Sequence, residues 1–175
     1  MSISSSVLGA AGEHYVMCQL LRRGLIAALA PAGVPNADLI VTDQLGSRLS
    51  AIQVKARVDK GGDGGWHMKA KHEGIRGGSL FYVFLSFPDN VGALPEAFVV
   101  PSAVVADALQ ISHKTWLERP GRGGRAHKDG DMRRFLPDYS HLELDNTHGP
   151  NWLEPYRDGW DQLLTGTVNA ETSKR

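Results

Sequence analysis

The feature that most restricts the fold is an eight-residue apolar run near the middle of the chain, Leu80–Phe87. It is rich in aromatic side chains and ends at Pro88, and a shorter run over 97–100 ends before Pro101. Uninterrupted apolar runs bounded by turn residues are typical of strands in the middle of a sheet. We therefore predict that both runs are central strands of one sheet.

Other elements follow from apolar spacing and from turn residues. A helix is predicted over 6–23, with Cys18 among its apolar positions and Gly24 as its stop. Two strands, over 38–42 and 48–55, are joined by a short connector and so suggest a hairpin. Short helices are predicted over 102–109, 112–117 and 152–164, loops over 59–65 and 119–128, and a frayed end over the last ten residues.

Composition restricts the class of protein. The 175 residues carry 19 basic and 19 acidic side chains, which argues against a basic nucleic-acid coat protein and an acidic tail protein. The hydrophobic fraction of 42% and the length suit one globular domain. The single cysteine favours a reducing compartment, and no apolar stretch is long enough to span a membrane. We expect a cytoplasmic protein.

Polar side chains emerge together from the predicted hairpin. Asp38 opens its first strand, and Gln53 and Lys55 are two positions apart on the second, so they share one face of it. Strand pairing can bring Asp38 close to both, and Glu13 lies on the preceding helix. Magnesium is held in proteins by one or two carboxylates together with waters and phosphate oxygens. The pattern therefore suits a hard divalent cation.

These residues carry a family resemblance. In chain order they are Gly12-Glu13 on a helix, Asp38-Leu39-Ile40-Val41 on a strand, and Gln53-Val54-Lys55 on the next strand. With this order, residues 6–101 resemble the PD-(D/E)xK nuclease superfamily, and most of all its restriction, recombination and repair nucleases, in which a Q-x-K motif occurs and to which Holliday-junction resolvases are related. The resemblance implies an α/β, restriction-endonuclease-like fold: a mixed central sheet flanked by helices, with a core over 1–110. A helical or irregular C-terminal extension over 111–175 would pack on the same domain.

The resemblance also implies an activity and a set of roles. The activity is metal-dependent hydrolysis of DNA phosphodiesters by Mg²⁺ or Mn²⁺, as an endonuclease rather than an exonuclease. Asp38 would be the principal metal ligand, with Gln53 in the position usually held by an acid, the Val54 carbonyl nearby, and Glu13 as the acidic residue of the helix. Lys55 would position the attacking water. The candidate catalytic residues are thus Glu13, Asp38, Gln53 and Lys55.

Two departures from the family pattern stand out. Ala37 precedes Asp38, so the Pro-Asp dipeptide is absent. Gln53 carries no charge, and an amide is a weaker ligand for a hard cation than a carboxylate. Gln53 therefore motivates an alternative: a nuclease-like fold without catalysis that acts as a nucleic-acid or protein binding module. A third possibility is a protein-interaction subunit of a defence or mobile-element system.

Each candidate residue also has an ordinary structural interpretation. Glu13 suits the first half of a helix because of the helix dipole, and Asp38 suits a turn before a strand. Gln53 and Lys55 could simply occupy the exposed face of a hairpin. The seven histidines show no spacing typical of metal ligands, and we predict uncommitted surface roles for His67 and His72.

Two cationic segments are candidate contacts for a phosphate backbone. Residues 48–76 hold seven basic against three acidic side chains, and residues 114–134 hold the same numbers. From the first segment we predict as nucleic-acid-binding residues Arg57, Lys60, Lys69 and Lys71. A solvated charged surface is the alternative for either segment. A homodimer would suit an enzyme that cuts two strands.

Overall fold

The computed structural model describes residues 3–62 and 64–165 of the protein, and it is built around a central sheet. In chain order the strands of this described part are β1 (Ile26–Leu29), β2 (Leu39–Thr42), β3 (Leu49–Val58), β4 (Trp66–Lys69), β5 (Leu80–Phe87), β6 (Glu96–Pro101) and β7 (Met132–Phe135). Five of them form the central sheet in the order β1-β2-β3-β5-β6, and β4 and β7 form a small second sheet.

The central sheet is mixed. Strands β3 and β5 run parallel, whereas β1–β2, β2–β3 and β5–β6 are antiparallel pairs. The hairpin predicted from the sequence is the β2–β3 pair, with Leu39 opposite Ile52. Together with the helices on its two faces, this sheet confirms the predicted α/β class with a mixed central sheet flanked by helices.

The described helices are α1 (Ser5–Arg22), α2 (Ser102–Glu118), α3 (Asp145–His148) and α4 (Gln162–Thr165). Short 3-10 turns lie at Ala70–Gly74, Arg122–Gly124, Ser140–Leu142 and Glu154–Tyr156. Helix α1 begins after Ser4, whose hydroxyl accepts a hydrogen bond from the Val7 amide. It ends where Gly24 takes a φ of +77°, a left-handed conformation that suits glycine.

Strand β5 is buried on both faces, and a different hydrophobic core covers each. Val83 and Leu85 face the core that includes Val16 and Leu20 of α1. Tyr82 and Phe84, on the opposite face, pack in the core that includes residues of α2 and of the small sheet, among them Val105, Leu109 and Phe135. Alternation along one fully buried strand thus places α1 on one side and α2 with the small sheet on the other.

Several local predictions were wrong. The helices predicted over 102–109 and 112–117 are one continuous helix, α2. The helix predicted over 152–164 is replaced by a 3-10 turn and the four-residue α4. Neither β4 nor β7 was predicted, and Cys18 is exposed rather than part of the apolar face of α1. The frayed end predicted over the last ten residues lies outside the described residues, and the boundary at 110/111 stays a prediction.

A buried ion pair joins β7 to the turn that follows β4. Arg133 of β7 is only 6% exposed, and its guanidinium pairs with Glu73 of the Ala70–Gly74 turn. It also donates to the carbonyl oxygens of Gly130 and Met132. A buried charge is tolerated when it is paired and fully hydrogen-bonded, and these contacts meet that need. The ion pair therefore links the two ends of the small sheet, β7 and the turn that directly follows β4.

Close packing of α1 on β3 depends on Gly12. A Cβ atom at this position would lie 3.0 Å from the Ala56 Cβ and 3.3 Å from side-chain atoms of Val54 and Leu85. Gly9, one turn earlier in the same helix, has open space around it. The absence of a side chain at Gly12 thus sets the distance between the helix and the sheet.

We expect Gly9 and Gly12 to respond in opposite ways to substitution. Gly9→Ala should raise the free energy of unfolding by about 0.5–1 kcal/mol, because alanine is the better helix former. Gly12→Val should lower it by about 1–3 kcal/mol, because the added carbons must force α1 away from β3. Urea denaturation of the two variants and the wild type measures both effects. A Gly12→Val protein as stable as the wild type would contradict this account of the helix–sheet contact.

Candidate active site

The site lies where β3 extends beyond β2. Only residues 49–52 of the ten-residue β3 pair with β2, so the edge of β3 is open from Gln53 onward. Asp38, directly before β2, occupies this opening: its Oδ2 accepts a hydrogen bond from the Val54 amide at 2.7 Å. The carboxylate takes the place that a backbone carbonyl of a longer β2 would fill. Asp38 is thereby fixed against β3.

The side chain of Gln53 contacts Asp38 at the same opening. Its Nε2 donates to the same Asp38 oxygen, Oδ2, at 2.8 Å. One carboxylate oxygen thus accepts two hydrogen bonds. The N–H and C=O of one strand residue point to the same side of the strand, so the Val54 carbonyl is directed toward the opening as well. Asp38, Gln53 and Val54 therefore converge at one point, as the sequence predicts.

Glu13 reaches this region from α1. Burial raises the pKa of its carboxyl above the ordinary value of 4.5, and the negative charge of Asp38 raises it further, against a smaller opposite effect of His14. The Asp38 effect means that the two carboxylates are close enough to repel each other. Among the described residues, Glu13 has no hydrogen-bond or ion-pair partner. A cation between the two carboxylates would relieve the repulsion.

Gln53 and Lys55 open into a cleft of about 760 Å³ between the central sheet and the small sheet. Asp38 and Glu13 do not line it, whereas Gln53, which donates a hydrogen bond to Asp38, does. The remaining lining residues are Val34, Pro35, Asn36, His67, Met68, Lys69, Lys71, His72, Asp131 and Met132. With three lysines, this lining is positively charged.

The predicted nucleic-acid-binding residues divide into two pairs. Lys69 and Lys71 line the cleft, and the Lys71 ammonium donates to Asn36 Oδ1 at 3.0 Å across it. Arg57 instead lies over the Trp66 ring, 5.1 Å from its centroid, and pairs with Asp59 outside the cleft. Lys60 is exposed in the loop after β3 and does not line the cleft. The structure thus brings Lys69 and Lys71, but not Arg57 and Lys60, to Lys55.

Lys55 is half-buried in this cationic surrounding. Burial lowers the pKa of its ammonium from the ordinary value of 10.5, and Lys71 and Lys69 lower it further. The Asp38 carboxylate opposes these effects. A lysine with a lowered pKa loses its proton more easily than a solvated one, which suits a group that orients or helps to deprotonate water.

The prediction of a surface role for His72 is wrong. The side chain is 3% exposed, and its Nδ1 shares a hydrogen bond of 2.7 Å with the hydroxyl of Tyr82, which is fully buried. Burial, followed by the ammonium groups of Lys55 and Lys71, lowers the pKa of His72 to about 4. Sequence reasoning missed this residue because its partner lies on β5, and no periodic pattern connects the two. His67, in contrast, is exposed.

The donors at Asp38 fit a magnesium-type ion only in part. Within residues 3–62 and 64–165, no three histidine, cysteine or acidic side chains are grouped as a metal site would need. The available oxygens are those of two carboxylates, the Gln53 amide and the Val54 carbonyl. Magnesium commonly keeps several waters and takes one or two carboxylates plus phosphate oxygens. The set therefore fits an ion that shares its ligands with a bound phosphate.

Comparison with family models and with curated protein sequences gives no match. Comparison with solved structures finds a bacterial homing endonuclease, I-Ssp6803I, with 16% identity and a TM-score of 0.53 over 98% of this chain and 100% of that one. The Holliday junction resolvase Hjc of Archaeoglobus fulgidus is similar over 81% of this chain and 96% of that one, with 14% identity and a TM-score of 0.41. The likeness to the homing endonuclease confirms the predicted fold class, an α/β fold with a mixed central sheet flanked by helices. It establishes the fold alone, so the chemistry has to be argued from the site.

Acidification should destabilise the protein through His72. In the folded state the His72 pKa is about 4, whereas the ordinary value is 6.5, so below pH 6.5 the unfolded chain binds a proton that the folded chain does not. The resulting stability is present above pH 6.5 and falls by about 3 kcal/mol as the pH drops to 4.

Urea denaturation at pH 7, 5.5 and 4 measures this effect. His72→Gln should remove this part of the pH dependence, while His141→Gln, a change at an exposed histidine, should keep the wild-type slope. Equal slopes for His72→Gln and the wild type would contradict the assignment.

Proposed function

We propose that the protein is a metal-dependent endonuclease that hydrolyses DNA phosphodiester bonds. The observation that carries this proposal is the convergence of Asp38, Gln53 and the Val54 backbone at the open edge of β3, with Lys55 two residues further along the same strand. This order of groups is the one that the Q-x-K motif implies. The basic cleft that begins at Lys55 supplies a path for a phosphate backbone.

Asp38, Glu13, the Gln53 amide and the Val54 carbonyl would hold Mg²⁺ or Mn²⁺. When bound, the ion would polarise the scissile phosphate and offset the charge that develops on it. Asp38 has a second carboxylate oxygen, Oδ1, for which the described residues supply no hydrogen-bond donor. Glu13 is also unpaired. Both carboxylates thus retain oxygens that can be shared with an ion.

The orientation of the Gln53 amide would depend on whether a cation is bound. As the site stands, the amide turns its Nε2 toward Asp38, because a donor is favoured next to a carboxylate. Rotation of the amide by half a turn would direct its oxygen there instead. Two acceptors facing each other are favourable only with a cation between them, so an amide in this position responds to metal binding.

Lys55 would position the attacking water in the next step. Its lowered pKa eases the loss of a proton, and its ammonium form stabilises negative charge on the phosphate. Lys69 and Lys71 would hold neighbouring phosphates by charge.

The alternative is a nuclease-like binding module without catalysis. The Gln53–Asp38 hydrogen bond favours it, because Gln53 supplies a donor, rather than a second carboxylate, to the residue that would be the principal metal ligand. Such a module would use the basic cleft to bind nucleic acid and would need no cation.

We also propose the remaining features that were predicted from the sequence. They are a core over 1–110 with an extension over 111–175, a homodimer, a cytoplasmic location, and DNA contacts by Arg57 and Lys60. In the described part of the chain, no helix has the length and apolar character needed to cross a bilayer.

We expect Asp38→Ala and Lys55→Ala to separate metal binding from chemistry. Cleavage of plasmid, linear, single-stranded and branched DNA with Mg²⁺ or Mn²⁺ should fall by about a thousandfold or more in both variants. Mn²⁺ binding, measured by calorimetry, should be lost in Asp38→Ala and retained in Lys55→Ala. Gly9→Ala, remote from the cleft, is the matched control and should cleave like the wild type.

Retained cleavage in both variants would refute this site. A wild-type protein that binds DNA but neither cleaves it nor binds Mn²⁺ would establish the binding module instead.

Gln53→Glu tests the metal site without a cleavage assay. The new carboxylate faces Asp38 where an amide donor stood, so the metal-free protein should be less stable, by about 1–3 kcal/mol. Mg²⁺ affinity should rise about tenfold, since a carboxylate is the better ligand. Thermal melting with and without Mg²⁺ shows both effects: a lower Tm without metal and a larger metal-induced increase than in the wild type. The same response to Mg²⁺ in both proteins would place the ion elsewhere.

A further inference from the structure

We infer that His72 is a further substrate-contacting residue, which donates a neutral Nε2–H hydrogen bond to a nonbridging oxygen of the phosphodiester bound beside Lys55. The inference rests on the proposed function and adds a residue that the Q-x-K motif does not contain. It also assigns a function to His72, a buried polar residue that packing of the hydrophobic core alone does not explain.

The first step is the position of His72. It lies in the Ala70–Gly74 turn, above the face of the central sheet that carries Gln53 and Lys55, and it lines the same cleft. Its partner Tyr82 is on β5, directly opposite Gln53 in the parallel register of β3 and β5. Tyr82 thus anchors the His72 ring to β5, the strand next to the one that bears the motif.

The second step is which ring nitrogen carries the proton. Burial raises the pKa of the Tyr82 hydroxyl to about 12, so the hydroxyl keeps its proton at neutral pH. The phenol is fully buried, and His72 Nδ1, at 2.7 Å, is the partner that the described residues offer this proton. Nδ1 therefore accepts, and the imidazole, which is neutral at this pH, carries its own proton on Nε2.

The third step is where this Nε2–H points. The described residues offer it no hydrogen-bond partner, yet Nε2 is not among the side-chain nitrogens that are both fully buried and unpaired. The small exposed part of the residue is on the cleft side, where Lys55, Lys69 and Lys71 also lie. A donor directed into a cationic cleft fits an acceptor with negative charge, and a phosphate oxygen is such an acceptor.

The chemistry of a neutral donor differs from that of the lysines. Three ammonium groups attract a phosphate from any direction, because each is a flexible point charge. The His72 ring is held by Tyr82 and by burial, so its N–H has one direction. A fixed donor that meets an oxygen as it gains charge stabilises the transition state more than the bound substrate. His72 would therefore affect kcat more than KM, and Tyr82 would be a positioning residue that sets the tautomer.

The first experiment observes the tautomer of His72 directly and needs no activity. Nitrogen NMR of the histidine rings at pH 7 should show one ring, assigned to His72 by its loss in His72→Ala, with a proton on Nε2 and none on Nδ1. Adding a short DNA duplex with Ca²⁺ in place of Mg²⁺ should shift the Nε2–H resonance. A proton on Nδ1 instead would make Nε2 an acceptor, and would overturn the inference whatever the activity.

The second experiment measures cleavage in variants of His72. His72→Ala should lower kcat by about a hundredfold with little change in KM, because one fixed donor to the developing charge is lost. His72→Gln, whose amide can still donate, should recover part of the loss. His141→Ala, a change at an exposed histidine outside the cleft, is the control and should match the wild type. Mn²⁺ binding should be unchanged in all three.

Tyr82→Phe tests the same interaction without changing His72, so the inference can be tested even if the His72 variants do not fold. It keeps the ring of His72 and removes only the hydroxyl that fixes its tautomer, so both tautomers should become populated and kcat should fall less than in His72→Ala. A tautomer unchanged from the wild type would overturn the positioning role of Tyr82.

The outcomes separate this inference from the proposed function. If the wild-type protein cleaves no DNA, the proposed function fails and the inference with it. If the wild type cleaves and Lys55→Ala does not, while His72→Ala has the wild-type kcat, the inference alone is overturned.

Discussion

The burial of β5 on both faces is the constraint on which the rest of the structure depends. Its side chains alternate between two hydrophobic cores, so each face of the sheet needs a cover of its own. Helix α1 covers one face, and α2 with the small sheet covers the other. The parallel neighbour of β5 is β3, the strand that bears Gln53 and Lys55. The apolar centre of the molecule therefore holds the polar site in register.

The site itself arises from a mismatch in strand length. Because β2 stops where β3 continues, the backbone of β3 has hydrogen-bonding groups that no strand satisfies, and Asp38 fills one of these positions. Gly12 lets α1 pack closely on β3 and so brings Glu13 to the same end. The structure thus positions two carboxylates by ordinary packing, without a dedicated loop.

The sequence alone predicts the parts of this arrangement that depend on neighbours in the chain. The apolar run Leu80–Phe87, the glycine stop of α1 and the hairpin of β2 and β3 all follow from local patterns, and with them the convergence of Asp38, Gln53 and Val54. The small sheet was not predictable in this way. Its strands have four residues each, and the burial of Arg133 depends on Glu73, which is far away in sequence. The burial of His72 was not predicted for the same reason, since only the folded chain shows that Tyr82 is its partner.

The pairing of β4 with β7 also bears on how the protein folds. It joins residues 66–69 to residues 132–135, so the chain between them must already be arranged before these strands meet. Contacts between such distant segments close large loops, which costs entropy and makes them form late. During synthesis, a chain that has not yet reached Phe135 can build α1, β2 and β3 but not the far wall of the cleft. A nascent chain would therefore hold Asp38 against β3 before the two walls of the cleft face each other.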